Sequence, residues 1–291
     1  MKNFFTKIFC IVILNLIPWT VYSQDSGIKF NFSQPPGTML FNNSSVGAVS
    51  IIPGGSDDQL ASFTPPTTWS GFYFGGVWYP QDSTVFYVSS NGWLSIQKPG
   101  DAIPPSSLPI NNLSSNPFRI IAPLWDDLKV HNDGEVTYKI TGVAAARGLV
   151  FEWRGMYWDH NGTDTAISFQ AILYDNAYSS MARRNTIEFR YKRNGSDMDY
   201  VNNSAGGASI GISGFCASDI YAFTNVSGQP SKTIPEISDL SSKPPDGSTY
   251  RLNPGTHSND DCANAQVVNF ISLNYPLFSS PGTTLNSTQS L

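Results

Sequence analysis

The sequence predicts an all-β fold, a two-sheet antiparallel β-sandwich of about ten strands with long loops, and three observations carry that expectation. Short apolar stretches repeat with a period of two, as half-buried strands do. Turn formers are abundant, with 24 Gly and 20 Pro, and aromatic residues make up 13% of the chain, a composition of short strands and tight turns. No stretch keeps a 3.6-residue apolar period long enough for a core helix, and no internal repeat is evident.

The chain opens with Lys2 and Lys7, an apolar run from Ile8 to Ile17, and small or polar residues around Ser23. This reads as a secretory signal peptide over residues 1–23; the run is too short, and too interrupted by Asn15 and Pro18, to span a bilayer. Strands are expected at 29–33, 48–52 and 71–78. The segments 84–89 and 93–96 flank Ser90, Asn91 and Gly92, and Asn-Gly tolerates the positive backbone angles of a tight turn, so they should form a hairpin. Further strands are expected at 118–125, around Val136, Tyr138 and Ile140, and at 149–153, 166–174, 186–192, 208–213 and 221–226. In the segment 186–192, Ile187, Phe189 and Tyr191 alternate with Glu188, Arg190 and Lys192, which predicts one apolar face and one wet face. The stretch 230–245, punctuated by Pro230, Pro235, Pro244 and Pro245, reads as a closing loop. The sandwich is thus expected over 24–252, with 253–291 as a linker and the truncated start of a further domain.

Loss of Lys2 and Lys7 with the leader leaves 15 basic against 22 acidic side chains, a net charge of −7. That charge excludes the basic footprint of a nucleic-acid or anionic-membrane binder. Cys10 lies inside the leader, so Cys216 and Cys262 are the cysteines of the exported chain. They pair with each other or Cys262 takes a partner further along, in an oxidising exterior.

Two loops gather hard oxygen ligands: Asp126, Asp127, Asp133 and Glu135 in one, Asp159, Asn161 and Asp164 in the other. Such groups suit calcium, though without EF-hand spacing, and the same residue types serve ordinary turns. No other cofactor is expected. The aromatic cluster Trp69, Phe72, Tyr73, Phe74, Trp78 and Tyr79, together with Tyr157 and Trp158, could offer flat faces to a sugar ring, with Trp78, Tyr157 and Trp158 foremost, or fill the space between sheets as aromatics in sandwiches do. His131, His160 and His257 are the three histidines; none stands in metalloprotease spacing, and no Gly-x-Ser-x-Gly elbow occurs. The chain is therefore expected not to be an enzyme.

Several segments together resemble the extracellular NIDO-type domain first described in nidogen, and more closely a group of bacterial surface β-sandwiches of the Bacteroidetes kind. They are Val88-Ser-Ser-Asn-Gly-Trp-Leu-Ser-Ile96, Ile120-Ile-Ala-Pro-Leu-Trp-Asp-Asp127, Gly134-Glu-Val-Thr-Tyr138, Phe151-Glu-Trp153, Ile167-Ser-Phe-Gln-Ala-Ile-Leu-Tyr174 and Ile187-Glu-Phe-Arg-Tyr191. Asn259-Asp-Asp-Cys-Ala-Asn-Ala265 looks like the opening of a further domain in such proteins. The resemblance implies adhesion, matrix contact or display outside the cell, with an extracellular glycan or surface protein as partner and further domains in the same full-length chain. A second expectation is an accessory, carbohydrate-binding domain of a secreted hydrolase whose catalytic part lies elsewhere.

Overall fold

A computed structural model describes residues 30–33, 47–75, 77–105, 113, 118–158, 167–180, 183–193, 208–214, 220–223, 230–231, 240, 244 and 246–254. Among these the chain is all-β: two seven-stranded antiparallel sheets and a separate two-stranded hairpin. In chain order the strands are β1 (Phe30–Ser33), β2 (Val49–Pro53), β3 (Leu60–Phe63), β4 (Gly71–Phe74), β5 (Val77–Pro80), β6 (Val85–Ser89), β7 (Leu94–Gln97) and β8 (Ile120–Trp125). They continue as β9 (Lys129–Thr141), β10 (Gly148–Tyr157), β11 (Ile167–Tyr174), β12 (Ile187–Arg193), β13 (Ser209–Ser213), β14 (Ile220–Phe223), β15 (Pro230–Ser231) and β16 (Thr249–Pro254). The first sheet runs β1-β16-β12-β11-β10-β9-β2 and the second β15-β14-β13-β8-β7-β6-β3.

The alternation read from the sequence sets the register. Phe169 of β11 lies between Trp153 of β10 and Tyr191 of β12, and Phe189 pairs with both Ala171 and Tyr250. Opposite residues in a ladder point to one face, so this row forms the inner surface of the first sheet. Phe86, Val88, Leu94, Ile96, Ile121, Ile210 and Ile212 line the second sheet within the same buried core. Contacts across the two sheets are specific. Phe86 meets Phe151 with centroids 5.3 Å apart, Trp153 Nε1 donates to the Ser89 carbonyl at 2.8 Å, and the Tyr191 hydroxyl donates to the Pro123 carbonyl. Buried indoles and phenols need such partners.

Two expectations are corrected here. The segment 71–78 is not one strand but the two arms of the β4–β5 hairpin, with Phe72 opposite Tyr79 and Tyr73 opposite Trp78; Gly75, at φ +56, begins the turn. The middle of the polar faces of β10–β12 is not wet, although Lys192 near the end of β12 is exposed. Glu152, Gln170 and Glu188 are all 0% exposed and Arg190 only 8%. A buried charge must be paired, and Glu188 is: Oε2 accepts from Arg190 Nη2 at 2.7 Å and from the Tyr174 hydroxyl at 2.9 Å, and Oε1 from Arg251 Nε at 2.6 Å. Burial alone would push the Glu188 carboxyl up, but the Arg190 and Arg251 guanidiniums outweigh it and hold it below the ordinary range. Gln170 donates to Glu152 at 2.6 Å on the same face.

The expected closing loop also carries structure. β15 pairs with β14, and Leu240 bridges Ala208. Beyond that stretch β16 returns to the first sheet and runs to Pro254, paired with β1.

Candidate functional site

At one end of the sandwich three connections meet: β2–β3, the β6–β7 turn and β8–β9. The Asn91-Gly92 turn behaves as its sequence predicts. Ser89 N–H donates to the Trp93 carbonyl at 2.9 Å, and Gly92 adopts φ +76. Leu124 crosses so closely over Gly92 that a Cβ there would lie 1.8 Å from the Leu124 carbonyl oxygen, so only glycine fits. Asp126 N–H donates to the Asn91 carbonyl at 3.3 Å, which ties β8–β9 to the turn. Ser90 and Gln59 bind β2–β3 to it: Ser90 N–H donates to the Gln59 carbonyl at 2.9 Å, and Gln59 N–H to Ser90 Oγ at 2.9 Å.

The two neighbouring acids of β8–β9, just past the end of β8, part company. Asp126 is buried; its Oδ2 accepts from Trp158 Nε1 at 2.8 Å and its Oδ1 from Asp127 N–H at 2.9 Å. It serves as an internal anchor. Asp127 turns outward, to Asp57 and Asp58 of β2–β3, and carboxylate oxygens of these three lie within 4.8 Å of one another. Asp58 holds a left-handed backbone, φ +49, a conformation that Asp tolerates better than most residues. Asn91 Nδ2 donates to Asp58 Oδ1 at 2.8 Å. The Asn91 side chain is otherwise enclosed at 5% exposure, and its Oδ1 has no hydrogen-bond partner. Asp57 and Asp58 escaped the sequence reading. Their signal was an acid pair after Gly54-Gly55-Ser56, and only the folded chain brings it beside Asp127.

The remaining expected ligands lie apart. Glu135 is paired with Arg154 Nη2 at 2.7 Å. Asp133 faces solvent, 3.8 Å from His131 Nδ1. Asp159, Asn161 and Asp164, and likewise Cys216 and Cys262, lie outside the described residues.

The aromatic trio is likewise dispersed. Trp158 is fully buried beside Asp126 and offers no open face, because its N–H is committed to a carboxylate inside the fold. Tyr157 is half-buried and packs on His131, ring centroids 4.9 Å apart. Trp78 is half-buried on β5 and pairs with Tyr73 of β4, which is 47% exposed; their ring centroids are 4.8 Å apart. The Trp78 ring covers Gly71, where a Cβ would lie 2.5 Å from it. The other aromatics of the hairpin, Phe72, Phe74 and Tyr79, are core residues, as is Trp69 before it.

Among the described residues no helix is long and apolar enough to cross a membrane. No curated protein and no solved structure matches the chain. A family model described as NIDO related matches residues 30–254, from the first strand of the first sheet to its last, and domains of this type are typically extracellular. The order of strands and the extent of that match agree, and the chain belongs to the NIDO-related family.

Proposed function

We propose that this chain is a non-catalytic binding or adhesion module of a larger bacterial extracellular protein, secreted or held at the cell surface, that contacts a glycan or another surface protein. The observation that supports this reading is the Tyr73–Trp78 pair. It stands on a hairpin outside both main sheets, with one ring 47% exposed and the other fixed over Gly71. Rigid scaffolds that hold aromatic faces toward solvent are suited to ligand contact. The innermost carboxylates serve structure instead: Glu188 is bonded to two arginines and Asp126 to an indole. Fold alone does not assign a role, so the site carries the argument.

The same aromatic pair favours a second reading, an accessory carbohydrate-binding domain of a secreted hydrolase. The test is binding of the purified chain to glycan and extracellular-protein arrays, with Tyr73→Ala and Trp78→Ala beside the parent. Binding to glycans that both substitutions abolish supports a carbohydrate contact. Protein hits that depend on the pair support adhesion. Binding indifferent to both substitutions removes the hairpin from the account.

A further inference from the structure

We propose that Asn185, on the connection between β11 and β12, is a positioning residue for the Tyr73–Trp78 contact: its side-chain amide takes the place of a neighbouring strand and holds β4 where it stands. The inference rests on the reading of that pair as the ligand contact and adds what fixes it.

The β4–β5 hairpin pairs with neither main sheet. An edge strand leaves a row of N–H and C=O groups open unless a loop or another strand covers them. On β4 the cover comes from the β11–β12 connection. Asn176 N–H donates to the Gly71 carbonyl at 3.0 Å, and two residues further on Tyr73 N–H donates to Asn185 Oδ1 at 2.9 Å. This is the spacing of a ladder, in which every second residue bonds to the same side, with a side chain supplying the second rung. The rungs are tied to each other, because Asn185 Nδ2 donates to Asn176 Oδ1 at 2.9 Å. They are tied to the first sheet as well, where Asn185 N–H donates to the Tyr174 carbonyl of β11 at 3.1 Å. Asn185 holds a left-handed backbone, φ +54, which Asn tolerates better than most residues. The base of the hairpin is fixed separately: Asp175, 2% exposed, accepts from Ser70 N–H at 2.9 Å and from the Ser70 hydroxyl. Phe72, Phe74 and Tyr79 anchor it in the core. Asn185 is half-buried and bonds the one β4 residue whose ring is 47% exposed. Its loss therefore loosens Tyr73 without opening the core. A surface held in its bound arrangement beforehand avoids the cost of ordering it on binding.

The experiment is amide hydrogen exchange by NMR on the purified chain, with dissociation constants for its strongest array ligand and thermal melts alongside. Asn185→Gly keeps the positive φ without strain and removes the amide. It should speed exchange of the Tyr73 N–H and weaken binding, each by about two- to tenfold, the range that one hydrogen bond supports. Exchange at Phe189 of β12 and the melting midpoint should stay nearly unchanged; a merely structural role would move both. Asn185→Asp keeps an acceptor for Tyr73 and tolerates the same backbone, so it should restore slow exchange and affinity. Tyr73 exchange in Asn185→Gly equal to that of the parent, or no recovery in Asn185→Asp, overturns the inference. So does faster Tyr73 exchange with affinity unchanged. A parent that binds no array ligand overturns the reading of the pair as the contact, and the exchange rates still decide whether Asn185 holds β4.

Discussion

Replacing Glu188 by Gln keeps the volume of a fully buried side chain and removes its charge. In the native fold this carboxylate receives Arg190, Arg251 and the Tyr174 hydroxyl, with Arg183 Nη1 3.8 Å away. The side chains of Arg190 and Arg251 are themselves 10% and 19% exposed. The amide of Gln would present two N–H donors to a ring of donors. Two charge-assisted bonds at about 1.5–3 kcal/mol each, and the roughly 3–5 kcal/mol seen when one partner of a buried pair is deleted, agree on a loss of about 3–5 kcal/mol. In a domain of this size that lowers the melting midpoint by about 6–20 °C. The assay is urea unfolding at neutral pH, repeated at falling pH. Because the folded-state carboxyl is held below its ordinary value of 4.5, its contribution is complete above that value and disappears as pH falls through the folded value. The parent should therefore lose a stability component below about pH 4.5 that Glu188→Gln lacks. A variant within 1 kcal/mol of the parent, or one with the same acid profile, refutes the reasoning.

Alkaline pH tests the opposite sign: burial pushes the Tyr174 and Tyr250 hydroxyls up to about 12 from 10.0. Their contribution is full below pH 10 and lost as pH rises towards 12, so the part of the phenolate absorbance that disappears in the Tyr174→Phe and Tyr250→Phe variants should rise together with loss of the circular-dichroism signal rather than before it. Gly92→Ala, which puts a Cβ 1.8 Å from the Leu124 oxygen at φ +76, should cost about 3 kcal/mol or more in denaturant melts. Gly100→Ala, also at positive φ but with open space around it, should cost only about 1 kcal/mol. Trp158→Phe leaves Asp126 Oδ2 without its indole donor and should destabilise by about 1–3 kcal/mol; Asp126→Asn, which can still accept that N–H, should cost less.

Most of the fold was legible because alternation is a local property. Ile187, Phe189 and Tyr191 declare an inner face whatever surrounds them, and Asn91-Gly92 declares a turn. What alternation cannot declare is whether the second face is wet. Glu152, Gln170 and Glu188 look like solvent-facing residues in sequence, yet all are enclosed, and only the pairing of β12 with β16 brings Arg251 opposite Glu188. β3 and β16 were missed for a related reason: each is held by a partner distant in sequence, β6 for one and β12 and β1 for the other. The acidic site was half legible. Asp127 was visible in its loop, but Asp57 and Asp58 join it through contacts distant in sequence, Gln59 with Ser90 and Gly55 and Ser56 with Val130. For the aromatics, sequence could not separate Trp78, beside an exposed Tyr73, from Trp158, sealed against Asp126.

The central claim, that this sandwich binds an extracellular ligand through the Tyr73–Trp78 pair of its separate hairpin, is tested most directly by the dissociation constant for the strongest array ligand, measured on the parent and on the Tyr73→Ala, Trp78→Ala double variant. Contact with two aromatic rings, worth about 0.5–1.5 kcal/mol each beyond area burial, predicts an affinity loss of about tenfold or more with the melting midpoint nearly unchanged. Equal affinities, or the absence of any saturable ligand for the parent, would contradict it.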